Sequence, residues 1–231
     1  KTIPGQPDRI FASMGIYLFG KDVLLKELDV DAQNPFSGHD FGKNVIPQML
    51  KNKRKIFVYN FVDENNQPLY WRDIGTRDAY YQANMDLVRP ESNFNLFDHD
   101  WPVRTYHEQY PPIKIMSTVD PKGVETPGVI VNSLIAGGCV IKGARVEGSI
   151  LSSNVCIEKQ AAVSHSVIMD GVVIGEGAQI KNAILDKEVV VPPHAQIGYD
   201  LELDWKLFDV TTSGIVIVAK RTPIRVDGVG G

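Results

Sequence analysis

The 231 residues hold only two cysteines, Cys139 and Cys156, too few for disulfides to stand in for a hydrophobic core. No apolar run reaches the ~18 residues needed to cross a bilayer. The opening Lys1-Thr2-Ile3-Pro4-Gly5 lacks the basic-then-apolar pattern of a secretory leader. These absences point to a cytoplasmic protein with no membrane partner. Cationic excess is missing too: 24 Lys and Arg face 28 Asp and Glu, a net charge of -4. Nothing therefore draws the chain generally toward nucleic acid. A zinc-type Cys/His spacing, a Gly-x-Ser-x-Gly nucleophile elbow and a phosphate-cradling glycine loop are also lacking. Gly137-Gly138 is the nearest thing to such a loop, but no helix pattern follows it.

What is present is a repeat. Steps of six, six and five residues reach Leu134, Val140, Val146; Leu151, Ile157, Val163; Ile168, Ile174, Ile180; Leu185, Val191, Ile197, all branched aliphatics. This six-six-five unit recurs four times without a gap. Ala144, Ala161, Ala178 and Ala195 form a second column at the same period, and Gly138, Val155, Val172 and Val189 a third. Such steps suit neither a helical face nor the two-residue alternation of a strand. They suit a triangular coil whose sides are short strands, each sending one aliphatic inward, with the coils stacked edge on edge. The expected fold is a left-handed parallel β-helix of the hexapeptide-repeat kind. The same period puts Cys139 beside Cys156 on adjacent coils, about 4.8 Å apart, in a column with Val173 and Val190. Stacked side chains point the same way, which suits a disulfide poorly, so two reduced thiols are expected.

Upstream, strand and helix patterns alternate. Ile10 to Phe19 reads as a buried strand interrupted by Gly15, and Lys21 to Leu28 as a short amphipathic helix. Asp40 suits an N-cap ahead of Val45, Ile46, Met49 and Leu50, with Pro47 delaying the helix to near Asn44. Lys55 to Val62 and Leu69 to Arg72 read as a hairpin, and Thr76 as the N-cap of a helix from Arg77 to about Val88. These are too few strands for a sheet of ordinary size, so residues 1–90 read as the remnant of an α/β domain whose beginning is missing. Residues 91–128 read as an irregular proline-rich connector and 129–231 as the β-helix domain. Ile215 to Val218 would supply a closing strand, and Arg225 to Gly231 a frayed end.

Chemistry-bearing side chains are sparse. Asp73 stands at a strand end before Gly75 and a helix N-terminus, where a carboxylate can hold Mg²⁺ beside a phosphate or simply support the turn. Asp40 has the same two readings, cap or ligand contact. Ser13 precedes Gly15, a residue that lets a ligand approach backbone, and Trp71 is by default a core aromatic. His165 and His194 fall at outward positions, and no long loop interrupts the coils to build an acyl-transfer site. Lys187, Lys220, Arg221 and Arg225 near the far end form either a solvated face or a site for a phosphorylated ligand.

Several stretches in order carry a resemblance: Ala12-Ser13-Met14-Gly15-Ile16-Tyr17, Asp40-Phe41-Gly42-Lys43, and Tyr70-Trp71-Arg72-Asp73-Ile74-Gly75-Thr76 with Ala79-Tyr80-Tyr81-Gln82-Ala83-Asn84. Trp101-Pro102-Val103-Arg104-Thr105-Tyr106 and Pro111-Pro112 follow, ahead of the coil. Together they resemble the bacterial ADP-glucose pyrophosphorylase (glucose-1-phosphate adenylyltransferase) family along nearly the whole chain. The resemblance implies that the first part is the end of a Rossmann-like nucleotidyltransferase domain. It implies a reaction, ATP plus glucose 1-phosphate giving ADP-glucose and diphosphate in glycogen synthesis, assisted by Mg²⁺. Ser13, Tyr17, Asp40 and Trp71 would lie at the glucose 1-phosphate, and Asp73 would be a catalytic metal carboxylate. Lys187, Lys220 and Arg221 would bind allosteric sugar-phosphate or nucleotide effectors, with Lys at 187 and 220 where close relatives carry Arg. A tetramer is implied, homotetrameric or heterotetrameric in the family, with a homotetramer expected here. The family's glycine-rich nucleotide loop, first metal aspartate and sugar-phosphate lysine motif would precede Lys1, so these 231 residues alone are expected to be inactive. A non-catalytic regulatory subunit, and another sugar-phosphate nucleotidyltransferase or acyltransferase, are the competing readings.

Overall fold

Aliphatics five or six residues apart can all face one axis only where the chain turns a corner between them, and residues 114–218 do so. A computed structural model of the chain describes residues 3, 5, 7–89, 94–104 and 108–224. Thr105, Tyr106 and the tail from Arg225 therefore lie outside the described residues. The chain forms two compact units, Lys1–Trp71 and Arg72–Gly231. Helices α1 (Lys21–Ala32) and α2 (Ile46–Lys51) belong to the first, α3 (Arg77–Val88) and α4 (Leu201–Leu207) to the second.

In the second unit, three sheets of parallel strands make the sides of a β-helix of about four turns. One side stacks Lys114–Met116, Val140–Lys142, Cys156–Ile157, Val173–Ile174 and Val190–Val191. The next stacks Val129–Val131, Arg145–Glu147, Ala162–Ser164, Gln179–Lys181 and Gln196–Ile197. The third stacks Leu134–Ile135, Ile150–Leu151, Val167–Ile168, Ala183–Leu185 and Val216–Val218. Each side sends one column inward: Ile141, Ile157, Ile174, Val191; Val146, Val163, Ile180, Ile197; Leu151, Ile168, Leu185, Val218. None of these twelve exceeds 1% exposure. Each buried aliphatic contributes roughly 1.5–3 kcal/mol, which a single coil could not gain without its neighbours. The corners use left-handed backbone: Asn154, Gln160, His165, Asn182, Glu188 and His194 all have φ between 46° and 61°. His165 and His194 are exposed there.

The first coil departs from the expected register. Ile135 lies opposite Leu151 and Ile141 opposite Ile157, while Leu134 and Val140 stay half-buried. The coil is one residue shorter than the repeat, and the missing residue falls at the corner that holds Gly143, between the strands of Val140 and Arg145. That glycine has φ 48°, and a Cβ there would collide with Thr118 Oγ1 and the Thr126 carbonyl. Those two residues belong to an antiparallel hairpin, Thr118–Val119 with Glu125–Thr126. Regular structure thus begins at Lys114, inside the stretch expected to be irregular. The shift also moves Cys139 into the buried column of Val155, Val172 and Val189, while Cys156 faces Val140 and Val173. The two thiols are free and do not stack on each other.

A polar column runs beside the aliphatic ones. The hydroxyls of Ser133, Ser149 and Ser166 each donate to the carbonyl two residues earlier, at 2.8 Å. Each also accepts an amide of the next coil: Ser149 N at 3.1 Å, Ser166 N at 3.1 Å and Ala183 N at 3.2 Å. Ser149 and Ser166 are fully buried, so the ladder satisfies groups that water cannot reach.

At the far end α4 interrupts the coil. Asp200 caps its first turn, and the buried Asp204 accepts the Gly198 amide at 2.9 Å. The expected closing strand is present: Val216–Val218 stacks in parallel on Ala183–Leu185, with Asp209–Val210 antiparallel on its outer side. Phe208 packs against the core while Trp205 stays 58% exposed. Helix α3, capped by Thr76 as expected (Ala79 N to Thr76 Oγ1, 3.1 Å), lies on the coil. Its Tyr81 and Met85 are buried with Val167, Ile184 and Ile215.

In the first unit Asp40 caps a π-helical turn, Phe41–Val45, that runs into α2 with Pro47 in its first turn. Val45 and Met49 are buried, and Arg54 Nε reaches the buried Glu27 at 2.7 Å. Ile10 to Phe19 and Lys55 to Val62 form no ladder among the described residues, and the expected hairpin is reduced to one bridge, Val62 with Pro68. Ile16, Leu18, Phe57 and Tyr59 are widely exposed. A strand is defined by its partner's edge, and the described residues supply none. No helix among the described residues is long and apolar enough to cross a membrane.

Candidate active site and effector corner

In the first unit the turn after Ser13 gathers three expected residues. The Gly15 amide donates to Ser13 Oγ at 3.2 Å, and Gly15 adopts φ 72°, which L side chains rarely tolerate. The reversal brings the Tyr17 hydroxyl to 2.9 Å from Ser13 Oγ. The Tyr17 ring stacks on Phe41, centroids 5.7 Å apart, beside the turn that Asp40 opens. Asp40 Oδ1 accepts the Lys43 amide at 2.7 Å. Among the described residues its Oδ2 has no partner. Gly42 sits between: a Cβ there would lie 3.3 Å from Asp40 Oδ1 and 3.9 Å from the Tyr17 hydroxyl. The loop leading in is pinned as well. Ser37 Oγ donates to Asp31 at 2.6 Å and His39 Nδ1 lies 2.7 Å from it. These two bonds, Ser37's first, hold the Asp31 carboxyl below the usual range. Trp71 is 40% exposed and shares no hydrogen bond or ring contact with Ser13, Tyr17 or Asp40 among the described residues.

Asp73 belongs to the second unit. Its Oδ1 accepts the Gly75 amide at 3.0 Å, closing a turn directly before the Thr76 cap of α3. The turn is tied to the helix from both sides, since Arg72, preceding Asp73, reaches Asp86 of α3 at 2.8 Å. Asp73 is exposed, and its Oδ2 has no partner among the described residues. A hard oxygen donor of this kind fits Mg²⁺, which commonly takes one or two carboxylates and completes its shell with phosphate oxygens and water. No group of three carboxylate, imidazole or thiolate side chains converges among the described residues.

The structure brings the expected effector cations together by a route the repeat does not contain. Strand Val216–Val218 stacks on Ala183–Leu185, almost two repeats earlier in the chain, so Lys220 follows beside Lys187 on the neighbouring rung. Asp186 holds both backbones, Oδ1 accepting Lys187 N at 2.7 Å and Oδ2 accepting Lys220 N at 3.2 Å. Lys220 Nζ pairs with Glu188 at 3.0 Å. Arg221 is exposed at the same corner in left-handed backbone, φ 64°.

Residues 4–89 match the nucleotidyl transferase family model, and residues 111–218 match that of the GlmU-like C-terminal hexapeptide region. Three curated proteins named glucose-1-phosphate adenylyltransferase illustrate the similarity. That of Anaeromyxobacter dehalogenans is 50% identical over 231 residues, 97% of this chain and 55% of the relative. That of Thermus thermophilus is 46% identical over 226 residues, 95% of this chain and 54% of the relative. That of Koribacter versatilis is 40% identical over 230 residues, 97% of this chain and 54% of the relative. The chain spans about half the length of the curated relatives it matches.

Proposed function

We propose that this chain belongs to the glucose-1-phosphate adenylyltransferase family and that the intact protein joins ATP and glucose 1-phosphate to give ADP-glucose and diphosphate. The observation that carries the reading is the convergence of Ser13, Tyr17 and Asp40 on one side of Gly42. Two hydroxyls 2.9 Å apart can donate to phosphate or sugar oxygens. Oδ2 of Asp40 can accept from a sugar hydroxyl while Oδ1 keeps the backbone turn in shape. The missing Cβ at Gly42 leaves space beside both. Trp71 contributes an aromatic face next to Asp73 in the chain. Asp73 is the residue proposed to hold Mg²⁺, which when bound offsets charge on the phosphates during in-line attack at the α-phosphorus. The 231 residues alone contain no glycine-rich phosphate loop, so this segment by itself is proposed to be inactive.

Lys187, Lys220 and Arg221 form the proposed effector corner, for an anionic sugar phosphate or nucleotide. Lysines act there as point charges without the bidentate fork of arginine. Because Lys220 is paired with Glu188, an anion binding there competes with that carboxylate. The intact protein is proposed to act in the cytoplasm, in glycogen synthesis, as a homotetramer.

The decisive experiment is Asp73→Asn in the intact protein. ADP-glucose formation should fall at least about a hundredfold with circular dichroism unchanged, and ATP should be used in preference to UTP. Wild-type turnover in the variant, or a preference for UTP, would sink the reading.

A further inference from the structure

The turn that carries Asp73 runs directly into α3. The Gly75 amide closes it onto Asp73 Oδ1 and Arg72 pairs with Asp86 of α3, so where the start of α3 is held bears on where Asp73 stands. Two bonds hold that start. The Thr211 hydroxyl donates to Asp78 Oδ1, in the first turn of α3, at 2.7 Å, and Arg77 pairs with Asp209. The ion pair is more than half exposed on both sides, where solvent screens it and such pairs contribute little. Thr211 is different, being 5% exposed. Its hydroxyl is also aimed from within the coil: Oγ1 accepts Ile215 N at 3.2 Å, and Thr211 N donates to Ile215 O at 3.0 Å. A hydroxyl that accepts from Ile215 has its single proton left for Asp78. One helical turn further on, Tyr81 OH donates to the His165 carbonyl at 2.6 Å, which fixes the helix axis but leaves its first turn free to lift.

We propose that Thr211 and Asp78 are positioning residues for the Asp73 carboxylate: a buried hydroxyl of the last coil fixes, through the first turn of α3, where the metal-binding oxygen stands. This rests on the role proposed for Asp73. The β-helix is then a working part of the active site and not only a support for it. The same strand pair leads through Val216–Val218 to Lys220, so the effector corner and the Asp73 turn share one hairpin.

The test uses the intact protein with Thr211→Val, Thr211→Ser and Asp73→Asn. Thr211→Val removes the donor at nearly constant volume, whereas Thr211→Ser keeps it. Thr211→Val should lower kcat about tenfold, raise the Mg²⁺ concentration for half-maximal rate, and leave KM for glucose 1-phosphate unchanged. Without metal, the Gly75 and Ala79 amides should exchange hydrogen at least about tenfold faster in Thr211→Val, and Thr211→Ser should restore every readout. If Thr211→Val only lowers the melting temperature, with kcat, Mg²⁺ dependence and those amides as in the wild type, the inference is overturned. If Asp73→Asn keeps its activity, the functional reading fails instead, whatever Thr211 does.

Discussion

Ile141 lies opposite Ile157, one residue nearer along the chain than Ile157 lies to its own partner, Ile174. That single residue, missing from the first coil, exchanges which of two adjacent aliphatics faces the axis. The exchange is measurable. Ile141→Ala should cost about 2–5 kcal/mol, while Val140→Ala, at a half-buried neighbour, should cost less than about 1 kcal/mol. Urea melts of the two variants distinguish the registers, and equal costs would mean that the first coil is paired otherwise.

The serine ladder gives a second test. Ser166→Ala strands the buried Ala183 amide and should cost about 1–3 kcal/mol, more than removing a small hydroxyl from a surface would. Amide exchange at Ala183 should accelerate in step with the loss.

Burial raises the pKa of both thiols, Cys139 and Cys156, and a thiol is reactive only as thiolate. In native protein at neutral pH, Ellman's reagent should leave Cys139 unmodified and label Cys156 slowly. Both should react at once in guanidinium. Mild oxidation should produce no Cys139–Cys156 bridge, since Val140 stands opposite Cys156.

Asp204 gives a pH test. Burial, the largest influence, pushes its carboxyl above the ordinary aspartate value. The folded state therefore binds its proton more tightly than the unfolded state. This contribution to stability is full below the unfolded-state pKa, falls as pH rises through it, and levels off above the folded-state pKa. Asp204→Asn can still accept the Gly198 amide without the charge. It should be more stable than the wild type at neutral pH and lose that advantage in acid. A variant less stable at every pH would show that the ionised carboxylate is needed there.

The coil was legible because a single residue class recurs at a fixed step, and ten of the twelve expected inward positions are buried. The other two failed for a physical reason. Leu134-Ile135 and Val140-Ile141 are pairs of interchangeable aliphatics, so only coil length decides which one turns inward. Caps at Asp40 and Thr76 were legible because they need only the next three residues. The expected strands near Ile10 and Lys55 have strand-like sequence but no partner edge among the described residues. The meeting of Ser13 with Tyr17 depends on the Gly15 reversal. That of Lys187 with Lys220 depends on α4 being inserted between coils. Neither follows from a period. The serine column could have been read, since Ser133, Ser149 and Ser166 recur at the same two spacings, the shorter and then the longer, that set the registers.

The Asp78–Thr211 bond spans 133 residues and Tyr81–His165 spans 84, while each coil meets the next after a single repeat of chain. Loop closure costs more for the longer spans, and contacts of high sequence separation form late. The coils can therefore zip up locally, one upon the next, whereas α3 must wait for the final coil. On the ribosome, where synthesis runs at roughly 5–20 residues per second, the turn bearing Asp73 emerges before the coils and gains its anchor only once Thr211 has been made. Its final geometry is set by a segment made after the repeated coils.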